Sequence, residues 1–169
     1  MIALRLIAPV LLALSAGQAG VVTAQDNAAA EAAKVLYYPA AADGAAAMRT
    51  ALATAAALHR PAVIVFGADW CHDSRALGKL LTSDAFKAEF GSRFEVTFID
   101  VGKPQTGEGR NLELVKQLGV KNLKSTPALF VLRPDGKVLN GTKDAVSWRN
   151  AESRGDQTIL AWFRSFNKK

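Results

Sequence analysis

The spacing of apolar residues changes repeatedly along this chain, and the changes predict alternating helices and strands. Met48, Leu52, Ala55 and Leu58 recur three or four residues apart, which predicts a helix capped at Asp43-Gly44, running to about His59 and stopped by Pro61. Ala62, Val63, Ile64, Val65 and Phe66 form an unbroken apolar run, too short for a helix and rich in β-branched residues. Such a run predicts a buried central strand. Helical spacing returns from Asp73 to Phe90 through Leu77, Leu80, Leu81 and Phe86, with Thr82-Ser83-Asp84 offering a fresh N-cap that divides it. Residues 94–100 alternate and then become apolar, predicting a second strand, and a glycine-rich polar loop over 102–110 follows. Asn111 is placed to cap a short helix to Leu118.

Downstream, Ala128 to Leu132 predicts a third strand, Pro134-Asp135-Gly136 a tight turn, and 137–139 its hairpin partner. A last helix is expected over 157–166. The order is helix, strand, helix, strand, helix, strand, strand, helix, an α/β pattern. The connection between the first two strands is long enough for a right-handed parallel crossover. At 169 residues the chain suits one domain.

The amino-terminal stretch has a different pattern. Arg5 precedes an apolar run from Leu6 to Ala16, and small residues lead to Val22-Thr23-Ala24. This predicts a secretory signal over 1–24, cleaved after Ala24; the run is shorter than the roughly 20 residues a spanning helix needs. An alanine-rich flexible segment is expected over 25–42, with Pro39 interrupting any helix, and the folded domain over 43–169. Periplasmic or secreted residence follows, with no stable membrane span after cleavage.

Without 1–24 the chain keeps 20 basic and 15 acidic residues, a net charge of +5. The cations are scattered among acids with no run of five, so a solvated surface is expected and no nucleic-acid partner. One cysteine, Cys71, excludes an internal disulfide. It follows the first strand and precedes the helix beginning near Asp73. Reactive groups of open α/β sheets lie at such strand ends, and the unpaired N–H groups of a helix start favour a thiolate. On this reading Cys71 is an exposed thiol. His72 supports its ionised form when protonated, and Asp73 opposes it.

The segment from Phe66 to Arg75, Phe-Gly-Ala-Asp-Trp-Cys-His-Asp-Ser-Arg, resembles the active-site segment of thioredoxin-like proteins. Ser125-Thr126-Pro127 before the third strand resembles their cis-proline segment, and Asp135-Gly136 their hairpin turn. The resemblance spans about 60–165. It implies a three-layer fold with a central mixed β-sheet flanked by helices. It also implies that Thr126 and Pro127 lie beside the cysteine and help hold a peptide by strand addition. The departure is Ser74, which stands where a dithiol family member has its second cysteine. Val65 replaces an acid buried beneath the thiol, and no lysine occurs on the second strand.

The candidate site is therefore Cys71 as nucleophile and Ser74 as a hydrogen-bond donor to it. Trp70, His72, Thr126 and Pro127 are candidate substrate-binding residues. Asp69, Arg75 and Lys79 read as solvated charges, and His59 as a helix-end residue. No cofactor is called for, and no metal: Cys71 and His72 are adjacent and meet one ion poorly, while zinc needs three or four ligands.

Without a resolving thiol, a mixed disulfide at Cys71 is released only by an outside thiol. Three readings follow. The first is a monothiol exchange protein, isomerase-like or deglutathionylating, acting on cysteine-containing exported proteins or low-molecular-weight thiols. The second is a non-catalytic peptide-binding or chaperone module that kept the groove. The third is a buried, inert cysteine.

Overall fold

The computed structural model describes residues 35–166, and the compact unit treated below begins at Leu36. The signal expected over 1–24, and residues 25–34 of the flexible segment expected over 25–42, lie outside the described residues. Helix α1, Gly44–Ala57, starts at Asp43, whose carboxylate accepts the Ala46 N–H at 3.0 Å. It ends ahead of Pro61. Strand β1, Ala62–Gly67, is buried along its whole length, because helices cover both of its faces.

Beyond it lie α2, His72–Thr82, and α3, Asp84–Phe90. The break falls at Ser83, whose hydroxyl accepts the Phe86 N–H at 3.1 Å, as the Thr82-Ser83-Asp84 reading expects. Strand β2, Glu95–Asp100, returns parallel to β1, and β5, Ala128–Leu132, lies antiparallel on the other side. The sheet order β2-β1-β5 makes a mixed sheet with β1 at its centre.

The continuous apolar run of β1 conceals an alternation. Val63 and Val65 join a cluster with Phe86, Phe90, Phe94, Trp148 and Phe163. Ala62, Ile64 and Phe66 face Ala51, Ala55, Val115 and Phe130. Successive residues of a strand point to opposite faces, so one buried strand serves two cores. The result is three layers.

Three expectations are corrected. The 102–110 stretch is a small hairpin, β3 Gly102–Lys103 against β4 Glu108–Gly109, bridged by a 3-10 turn over Pro104–Thr106. Asn111 gives no side-chain cap to α4, Leu112–Gln117; its amide donates instead to the Asp100 carbonyl at 2.8 Å. The hairpin partner over 137–139 reduces to one bridge, Leu132 with Val138, because a lone outer strand gains little pairing.

The polar stretch after Asn140 folds into α5, Gly141–Val146, a 3-10 turn Ser147–Asn150, and α6, Ala151–Arg154. Each is too short to show an apolar period, and tertiary packing holds them: Trp148, Ala145 and Ala151 are buried. Helix α7, Asp156–Ser165, closes the unit.

Candidate functional site

Strand β1 ends at Gly67, and the chain turns back through a Cys71 N–H to Ala68 carbonyl bond of 3.0 Å before α2 begins. Cys71 is the N-cap residue of α2, in extended conformation. Its thiol donates to the Thr126 carbonyl at 3.4 Å, so the two segments that the sequence leaves 55 residues apart meet at one sulfur. The Thr126–Pro127 peptide is cis, and both residues are buried.

The expectation of an exposed thiol is overturned: Cys71 is only 8% exposed. The turn from Ala68 folds its side chain inward against the 126–127 loop, a course set by tertiary packing. The sulfur therefore lies just beneath the surface.

Ser74 lies one turn further along α2 and is fully buried, but its hydroxyl has no hydrogen-bond partner. The expected bond from Ser74 to Cys71 is absent. The Thr126 hydroxyl is likewise buried and unpartnered. Buried polar atoms are paired in the great majority of cases, and these two hydroxyls are exceptions.

His72 points outward. Its Nε2 is 3.1 Å from Asp73 Oδ2 and 3.7 Å from Glu152 Oε2. Asp73 is itself mostly buried, and its other oxygen accepts the Glu152 N–H at 2.9 Å, so it fastens α2 to α6. Trp70 is 48% exposed, with its indole N–H donating to the Gly102 carbonyl at 2.8 Å. It is at once an exposed aromatic surface beside the thiol and the tie to the β3–β4 hairpin.

The chain reading missed a clasp on the same side. Asp69 is not merely a solvated charge: its two carboxylate oxygens accept the Tyr37 and Tyr38 N–H groups, each at 2.9 Å. Arg75 donates to the Asp69 carbonyl at 2.9 Å. Tyr38 is buried, and its hydroxyl donates to the Ser74 carbonyl at 3.0 Å. Burial pushes the Tyr38 hydroxyl well above its ordinary range, and the Asp69 charge adds to this.

A side chain at Gly67 would come within 2.5 Å of the Tyr38 ring and 2.8 Å of the Ser74 hydroxyl, so this glycine admits both. The stretch 36–42, read as part of a flexible segment, thus carries a residue of the core. The paired tyrosines before Pro39 were its only signal.

Behind Trp70, Asp100 is buried at the end of β2. It accepts the Gly102 N–H at 3.0 Å and lies 3.2 Å from Arg110 Nε. Burial raises its carboxyl above the ordinary value, with the Gly102 bond and Arg110 opposing. Val65 is buried in β1.

Among the described residues, no group of three or more His, Cys, Asp or Glu is arranged to hold a metal. Among them also, no helix is long and apolar enough to cross a membrane.

Residues 48–150 match the family model described as a thioredoxin-like domain. Among solved structures, the disulphide isomerase from Xylella fastidiosa Temecula1 is similar, with a TM-score of 0.69 and 37% sequence identity over 80% of this chain and 99% of that one. No curated protein matches.

Proposed function

The chain belongs to the thioredoxin-like domain family, and on that premise we propose that it is a monothiol exchange protein that forms mixed disulfides through Cys71. The observation that carries this is the Cys71 thiol at the start of α2, 3.4 Å from the Thr126 carbonyl. A helix N-terminus presents unpaired N–H groups to a developing thiolate. The similarity to a disulphide isomerase supports the same chemistry.

In the proposed step the Cys71 thiolate attacks one sulfur of a substrate disulfide. The new S–S bond forms as the old one breaks, and the departing sulfur leaves with the electron pair and takes up a proton from water. Ser74 cannot complete a second internal exchange, so an outside thiol or the substrate's own second cysteine releases the product. Thr126 and Pro127 form one wall of the peptide site, Trp70 and His72 its exposed rim, and Ser74 a buried donor that turns toward the sulfur when charge develops there.

The substrates on this reading are cysteine-containing exported proteins or low-molecular-weight thiols. The domain begins near residue 36, and the chain acts in the periplasm or outside the cell after loss of 1–24.

The low exposure of Cys71 favours one second reading, a buried, inert cysteine, which with Ser74 in place of a resolving thiol would leave a peptide-binding or chaperone module without turnover. Challenge of the purified protein with a small neutral disulfide, followed by intact mass, separates the two. The exchange reading expects a single adduct that reductant reverses and that Cys71→Ser abolishes. A native protein that stays unmodified while its unfolded form reacts overturns it.

A further inference from the structure

A cavity of about 370 Å³ lies between the loop that leads into Thr126 and the segment around α5. Lys124, Lys143 and Arg149 line it together with Asn122, Ser125 and Thr142, and no carboxylate does. None of these three cations makes an ion pair among the described residues, whereas Arg60, Lys103, Arg110, Arg133 and Arg164 all do. The nearest acid in sequence, Asp144, is held by the Asn140 amide at 2.9 Å. Three positive charges without an ion-pair partner among the described residues, around one hollow, attract an anion, and hydroxyl and amide groups beside them suit a carboxylate.

The place matters as much as the charge. Ser125 lines the cavity, and the next residue supplies the carbonyl 3.4 Å from the Cys71 sulfur. Successive Cα atoms are about 3.8 Å apart, so the backbone that lines the cavity at Ser125 is continuous with the backbone that meets the Cys71 sulfur.

We propose that this cavity binds a carboxylate of the disulfide that reacts at Cys71, making anionic disulfides the preferred partners. The proposal rests on the exchange reading and names its substrate class. The carboxylate belongs either to a small anionic thiol or to an acidic side chain near a protein cysteine.

The test compares 3,3′-dithiodipropionate with bis(2-hydroxyethyl) disulfide, following the Cys71 adduct by mass and normalising to a free model thiol. The native protein is expected to prefer the dicarboxylate about tenfold, the low end of electrostatic rate enhancement. Combined Lys124→Gln, Lys143→Gln and Arg149→Gln removes that preference and leaves the neutral rate within about twofold; 0.5 M salt weakens it in the native protein. Equal preference in native and variant proteins, or equal slowing of both probes, overturns the proposal.

Adipate, a dicarboxylate without sulfur, gives an arm independent of the thiol. Saturable amide shifts at Ser125 and Thr142, lost in the variant, support the site even if neither disulfide reacts, an outcome that sinks the exchange reading alone. Absence of those shifts sinks the site. Peptide disulfides flanked by Glu or Lys then distinguish the sources: a faster Glu peptide points to proteins, and equal peptide rates beside a retained dicarboxylate preference point to small thiols.

Discussion

The two faces of the central sheet are packed by different means. On one side α3 and α7 meet through a nest of rings: Phe163 lies edge-on to Phe86 at 5.0 Å, to Phe94 at 5.4 Å and to Trp162 at 5.0 Å. On the other, α1 offers Ala51 and Ala55, both essentially buried, to Ile64, Phe66 and Ile99. Small residues let a helix backbone approach closely, while rings fill the wider gap left by several short elements. The helix that begins at the thiol, α2, belongs to the aromatic side through Leu77, Leu80 and Leu81. The reactive corner is thus carried by the aromatic face.

This contrast is open to attack from both sides. The largest effect is expected from Phe163→Ala, which opens a cavity among five rings and costs about 3–5 kcal/mol, read by urea unfolding. A loss below about 1 kcal/mol would show that the rings are replaceable filler. Ala55→Leu probes the opposite face by overpacking and is expected to cost about 1–3 kcal/mol in the same measurement. No destabilisation there would mean that α1 is free to retreat and the close approach is incidental.

The smallest effect concerns the exposed pair Glu89–Arg164, 2.6 Å apart, which joins α3 to α7 outside the rings. Arg164 holds the Glu89 carboxyl below its usual value. The unfolded chain therefore binds more protons in the window between the two values. Stability from this pair is present above the ordinary glutamate range and is lost as pH falls through the lower folded value. Glu89→Gln should flatten the acid limb of thermal midpoints measured from pH 7 to 3, less so in 1 M salt. An unchanged limb would show the pair to be ornamental.

How much of this was legible in the chain depends on the reach of each signal. The helix starts at Asp43 and Ser83 and the strands over 62–66 and 128–132 could be read, because capping and apolar runs act within a few residues. The short helices over 141–154 could not, since burial of Trp148 holds them and not any period of their own. At the site, Cys71, Ser74 and Pro127 were nameable from local motifs. The Tyr38–Asp69 clasp and the unpartnered hydroxyls were not.

The sequence by itself determined the single cysteine, the serine that replaces its partner, and the alternation of helix and strand. These are facts of covalent chemistry and short-range spacing. Only the tertiary structure decided that the thiol is tucked beneath the surface against Thr126, that 36–42 carries part of the core, and that three cations gather beside the loop at 125–127. Each of these joins residues tens of positions apart, and such juxtapositions are set by how buried faces pack, which no local pattern records.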